Sequence, residues 1–164
     1  MKGQLLRWAA AALVLGALGG VVWKLLARPG IVTVTAQGAV TTEAETLHQF
    51  GNVMVYLGIG AIICIVWAGA LAVIGERHGW KLVPFVAVMS LAAALVARAV
   101  GLALSPDKVV VPKAARAGDT IPGILTMDAW SAVVAWAVFG MVGLLLVTSL
   151  LAPPQVDEQV AEPH

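Results

Sequence analysis

Four apolar runs, at 5–27, 53–74, 82–104 and 129–152, take up most of this 164-residue chain and fix its solvent before any fold is considered. Each run is about twenty residues long or slightly more. A helix rising about 1.5 Å per residue needs roughly 20 apolar residues to cross a hydrocarbon core of about 30 Å. The run 53–74 contains no Asp, Glu, Lys, Arg or His. In water such runs would need burial on every side, and the connectors are too short to supply it. Hydrophobic residues make up 60% of the chain and charged residues 12%, against about 25% charged in a soluble domain. The expectation is an all-α membrane protein, an antiparallel bundle of four transmembrane helices forming one domain over 1–152. A short acidic cytoplasmic tail over 153–164 follows the Pro153-Pro154 stop.

Lys2 and Arg7 before the first run also fit the start of a signal peptide. That run is longer than the usual hydrophobic region, however. It closes on Trp23, Lys24 and Arg28 with no small-x-small cleavage site, so an uncleaved anchor is the favoured reading. The connector 75–81 is short and polar, and predicts a hairpin of antiparallel neighbours. Connectors 28–52 and 105–128 are long and must lie on one side of the membrane. Each holds a β-like patch, 31–34 and 109–111, and the two could pair into a small sheet; the alternative is two irregular loops. Pro106, Pro112 and Pro122 argue against a helix across the second connector, and Thr126 or Asp128 can cap the fourth helix. Lys and Arg are nearly balanced between the two sides. The density of Lys2, Arg7, Arg77 and Lys81 favours both termini in the cytoplasm, with the long connectors outside an inner (plasma) membrane.

Most chemistry lacks its residues. No Asp or Glu lies within a run, so proton-coupled exchange has no embedded carboxylate. One cysteine, Cys64, makes neither an intramolecular disulfide nor a Cys-x-x-Cys motif. His48, His78 and His164 lie outside the runs and offer no haem ligand pair. Glu43, Glu45 and His48 on one connector are a weak metal pattern. There is no phosphate-binding glycine loop with Lys, and a net charge of +1 gives no basic face for nucleic acid. No catalytic, cofactor or metal residues are therefore expected, and the chain is read as a non-enzyme.

What remains is packing and charge. Gly16 and Gly20 form a GxxxG pair, extended backwards by Ala12, that clears a strip on the first helix for close approach of another backbone. That strip serves either packing within the bundle or docking of a second membrane subunit. Arg98 is the one formal charge well inside a run, about four turns along the third span. It could reach lipid phosphate, pair with Asp128 at the same end of the next span, or recognise a lipid headgroup. Trp8, Trp23, Trp80 and Trp130 sit at run edges, as an aromatic belt at the headgroups would. Trp67 and Trp136 are deeper and pack against helices or lipid.

The stretch Gly19-Gly20-Val21-Val22-Trp23-Lys24-Leu25-Leu26-Ala27-Arg28-Pro29 leads into a threonine-rich β-like patch and Gly38, then Glu43, Glu45 and Phe50 before the second run. This arrangement resembles a family of actinobacterial four-span membrane proteins of unassigned domain function, most strongly over the first eighty residues. Within it the chain is similar to the lipid-uptake coordinator accessory subunits of mycobacterial Mce lipid importers. The resemblance implies a non-catalytic accessory subunit that binds the permease portion of an ATP-driven lipid (fatty acid) importer and stabilises or regulates it. Its partners would be membrane lipids and the larger permease subunits. Two alternatives stand beside it: an independent small homo-oligomeric transporter or lipid-binding membrane protein, and an accessory subunit of a respiratory membrane complex.

Overall fold

The structure, a computed structural model, describes residues 2–27, 31–35, 38–40, 43–74, 80–105, 120–122 and 129–151, with side chains placed over 3–27, 49–74, 80–105 and 129–151. Four long helices dominate it: α1 Lys2–Leu26, α2 Glu43–Ile74, α3 Leu82–Ala103 and α4 Trp130–Leu151. All four contain a stretch long and apolar enough to cross a membrane. The chain is an all-α four-helix bundle. Its outer faces carry large apolar side chains with high exposure, among them Leu25, Ile62, Val66, Leu145 and Leu150. In hydrocarbon these faces meet a solvent as apolar as themselves, so no water-driven penalty attaches to them.

Three helices match the apolar runs to within a few residues, and α2 does not. It begins at Glu43, ten residues before the run at 53–74, and its 32 residues extend about 48 Å at helical rise. Glu43, Glu45 and His48 therefore lie in the first turns of a helix rather than on a connector. The local reason is legible in the sequence. Thr42-x-x-Glu45 has the capping-box spacing that starts helices, and the residues that follow are compatible with helix up to the apolar run.

The described parts of the two long connectors meet in one antiparallel sheet of order β2-β1-β3, formed by β1 Ile31–Thr35, β2 Gly38–Val40 and β3 Thr120–Pro122. Thr35 pairs with Gly38 across a two-residue link, and Ile31 pairs with Pro122. β3 is an edge strand, the place where a sheet tolerates proline because one side needs no donor. The second connector contributes 120–122, whereas the patch expected at 109–111 lies outside the described residues, as do Asp128, Thr126 and the tail.

The helices run up and down, but their neighbours are not those the short connector suggests. α1 packs chiefly on α3, α2 chiefly on α4, and α3 also on α4, while α2 and α3 barely touch. Around the bundle the order is α1, α3, α4, α2. The hairpin of adjacent helices expected across 75–81 is thus a diagonal pair. With helix axes about 9 Å apart the diagonal is roughly 13 Å, well within reach of seven residues at up to about 3.3 Å each. The short length constrained direction and not adjacency.

Glycine selects the pairs. On α1, a Cβ at Gly16 would stand 2.8 Å from the Ala93 Cα, and one at Gly20 would stand 3.0 Å from the Ala97 Cα. On α4, a Cβ at Gly143 would stand 2.7 Å from the Ile65 Cα. In each case the obstacle is backbone, so the helices can meet this closely only where the side chain is a hydrogen. Both close pairs run parallel: Gly16, Gly20 and Trp23 meet Ala93, Ala97 and Gly101, while Gly60, Ile65 and Gly69 meet Trp136, Gly143 and Val147.

Candidate functional site at the sheet-facing end of the bundle

Two apolar clusters fill the bundle. The cluster toward the far end, around Trp67, Leu71, Leu82, Val86 and Leu144, is almost wholly hydrocarbon. The other, nearer the sheet, is aromatic and polar. Tyr56, the only tyrosine in the chain, is fully buried at its centre. Its ring meets Trp23 of α1 edge-on at 5.3 Å and Trp136 of α4 at 5.0 Å and a 35° tilt. Its hydroxyl donates to the Ala94 carbonyl of α3 at 2.7 Å. One side chain thus contacts all three other helices at a single level, and it makes a polar link across the α2–α3 diagonal. The Trp23 indole N–H donates to the Asn52 carbonyl at 2.9 Å, one turn above Tyr56 on α2.

Small residues make room for these rings. A Cβ at Gly101 would collide with the Trp23 ring, and one at Gly60 would collide with the Trp136 indole. Close-packed aromatic pairs of this geometry contribute about 0.5–1.5 kcal/mol each beyond the area they bury. Ser105, just past α3, turns its hydroxyl back onto the Gly101 carbonyl at 2.9 Å and satisfies a helix-end acceptor. The buried Trp67 and Trp136 indole nitrogens have no hydrogen-bond partner among the described residues.

Arg98 lies one turn beyond Ala94 on α3. Its guanidinium sits over the Trp130 ring, 4.5 Å from the centroid, in a contact worth about 0.5–1 kcal/mol where exposed and more where desolvated. Trp130 itself is largely exposed at the start of α4, so the pair marks the edge of the span. The expected partner Asp128 lies outside the described residues.

The structure chooses between the two readings of the first-helix strip and corrects one other expectation. Ala12, Gly16 and Gly20 pack within the bundle and are not free for a second subunit. Ala12 is buried, and both glycines are pressed against Ala93 and Ala97 of this same chain. Trp23 is not part of an interfacial belt: it is 1% exposed and packed in the aromatic cluster. Position at the edge of an apolar run does not distinguish a ring turned outward from one turned in. Trp80 and Trp130 are exposed, as a belt requires, and Trp67 and Trp136 are buried against helices. Sequence reasoning missed Tyr56 and Asn52. The available signal was their spacing of four, which puts two polar side chains on one helical face, but Asn52 fell inside an expected connector.

A few open features complete the picture. A Cβ added at Gly51 or Gly58 of α2 would meet nothing within 4 Å, unlike one added at the glycines of the core. Beside them, the outer surface between α2 and α4 holds a crevice of about 480 Å³. No cluster of three or more His, Cys, Asp or Glu occurs among the described residues.

Fold and site together define a multi-pass, all-α membrane protein. Compared with known proteins, the chain matches no family model, no curated protein and no solved structure.

Proposed function

We propose that this protein is a non-catalytic accessory subunit that binds a larger membrane transport complex and stabilises or regulates it. The observation that carries the reading is the outward face of α2. Gly51 and Gly58 lie two turns apart on it with open space beyond them, and Met54 between them is 46% exposed. A glycine in a helix interior costs about 1 kcal/mol against alanine, and in lipid its use is to let another helix approach closely. The docking face in this reading is therefore on α2, because α1 has its small residues engaged with α3. The kind of complex follows from the sequence resemblance: the permease of an Mce-type, ATP-driven lipid importer.

The test is affinity isolation from native membranes in mild detergent, with mass spectrometry of what accompanies the chain. Gly51→Leu with Gly58→Leu is expected to reduce recovery of a larger permease at least tenfold while the variant keeps its own thermal stability. Undiminished recovery would remove α2 as the docking face. Repeated isolation of the chain alone, with vesicle flux by the purified protein, would favour an independent transporter instead.

The accompanying orientation places both termini in the cytoplasm and the sheet outside the plasma membrane, on the strength of Lys2, Arg7, Arg77 and Lys81. Leu104 is half exposed at the sheet-side end of α3. In a variant without Cys64, cysteine at Leu104 is expected to react with a membrane-impermeant maleimide on intact cells. Reaction only after lysis would reverse the orientation.

A further inference from the structure

On the far side of Trp136 the α2–α4 pair is closed, and on the sheet side it stands open. A Cβ at Gly143 would be 2.7 Å from the Ile65 Cα, and one at Gly69 would be 3.0 Å from Val147. Both contacts join positions 78 apart. The same register continued toward the sheet sets Leu57 beside Ala135, and Met54 beside Ser131 or Ala132. These residues instead line the two walls of the crevice. The α4 wall is alanine and serine, residues of the kind that let two membrane helices approach closely. A second observation falls at the junction. The Trp136 ring is wholly buried, yet its indole N–H has no acceptor among the described residues. That nitrogen is the atom nearest to where a Cβ of Gly60 would stand. A helical side chain covers the turn before its own Cα, so Gly60 leaves the turn at Tyr56 and Leu57 bare. Each carbonyl there keeps a second lone pair for a donor.

We infer that the sheet-side half of the α2–α4 seam is a latch with two positions, open as seen here and closed by α4 swinging onto α2 about the Gly143 contact. The crevice is then covered by its own α4 wall, in continuation of an interface already formed from Gly60 to Val147. One movement answers both observations. It brings Ser131, Ala132 and Ala135 into the register that the rest of the pair obeys. It also carries the Trp136 N–H to a bare α2 carbonyl, and an N–H without an acceptor is costly in hydrocarbon. What opposes the movement is the first turn of α4. The Trp130 ring lies under the Arg98 guanidinium, 4.5 Å from the centroid, and this contact ties the start of α4 to α3. The Arg98–Trp130 pair thus holds the seam open, and the sheet-side end of the bundle widens or narrows while the far end stays fixed.

The test is disulfide trapping in the full-length protein, reconstituted alone in lipid vesicles with Cys64→Ala, Met54→Cys and Ser131→Cys and oxidised with copper-phenanthroline. A disulfide needs its two Cα atoms within about 7 Å, so the rate of bond formation reads the closed seam. Trp130→Ala, at an exposed position, removes the tie to Arg98 and is expected to raise the rate at least threefold without lowering the melting temperature. Trp136→Phe keeps a ring but loses the N–H, and is expected to lower the rate at least threefold. Leu57→Cys with Ala135→Cys reads the same movement one turn deeper and is expected to respond in the same directions, so the test survives if one pair disturbs the fold. A rate that Trp130→Ala leaves unchanged overturns the inference, and so does one that Trp136→Phe leaves unchanged. A faster reaction that comes with a lower melting temperature is loosening of the whole bundle and overturns it as well. The seam shares Met54 with the proposed docking face, but the vesicles contain no permease, so the outcome is independent of the docking reading.

Discussion

Replacing Gly16 and Gly20 together by leucine is expected to separate α1 from the rest of the bundle. Each added side chain would start within 3.0 Å of an α3 Cα, at Ala93 or Ala97, and backbone cannot rotate aside as a side-chain tip can. Overpacking of a close-fitted core costs about 1–3 kcal/mol per site, and two such sites on one interface bring roughly 2–6 kcal/mol by the same measure. The upper end of that range reaches the whole stability of many domains, about 5–15 kcal/mol. The loss extends beyond the strip, because Trp23 rides on the same helix and would be drawn from Tyr56 and from the Asn52 carbonyl. Tryptophan fluorescence during titration of mild detergent with dodecyl sulfate reads the transition. The double variant should unfold at a much lower dodecyl sulfate fraction than the parent, whereas Gly51→Leu with Gly58→Leu should not. Equal stability of the Gly16/Gly20 variant would mean that α1 and α3 do not meet as the structure has them.

The contrast between these two glycine pairs shows what the sequence could and could not reveal. Span number and length were legible, because apolar runs of the right length have few other uses. The choice of neighbours was not. Gly16 and Gly20 announce a close approach, but a one-dimensional pattern does not say whether the approaching backbone is α3 or a foreign helix. Adjacency is hidden for a related reason: seven residues can cross the diagonal of a four-helix bundle as readily as its edge. The β1–β2 hairpin gives no warning because its two-residue link, Ala36-Gln37, carries none of the Asn, Asp or Gly signals of tight turns. Tyr56 gives none either, because a single tyrosine within an apolar run looks like any other buried ring until its hydroxyl is seen to reach Ala94.

The two closely packed helix pairs also share a register. Contacting residues lie 76 to 78 positions apart in both, from Gly60 with Trp136 to Trp23 with Gly101. The chain is thus two helical hairpins laid side by side in the same sense, joined by glycines set against backbone or ring that alternate from helix to helix. α1 gives glycines to α3 at Gly16 and Gly20, then receives one at Gly101. α2 gives Gly60 and Gly69 to α4, and receives Gly143. Two of these contacts, Gly60 with Trp136 and Gly101 with Trp23, are matched pairs of void and ring, and the match is a testable property.

Trp23 and Gly101 provide that test. Trp23→Ala removes a fully buried ring, its edge contact with Tyr56 and its bond to Asn52, and is expected to cost about 3–5 kcal/mol, the range for deleting a large aromatic side chain from a core. Gly101→Ala leaves the ring in place and drives a methyl into it, with its Cβ only 2.6 Å from Trp23 Cζ3; a cost of roughly 1–3 kcal/mol is expected from such overpacking. If void and ring are matched, the two positions are energetically coupled. In a background of Trp23→Leu, the shorter side chain leaves space beside α3, and Gly101→Ala should then be neutral or stabilising. The double-mutant cycle, measured by the same dodecyl sulfate titration, should return a coupling within the range of about 0.5–3 kcal/mol seen for residues in direct contact. Additive effects would mean that Trp23 does not occupy the Gly101 notch, and the aromatic cluster would then lose its connection to α3 through that helix.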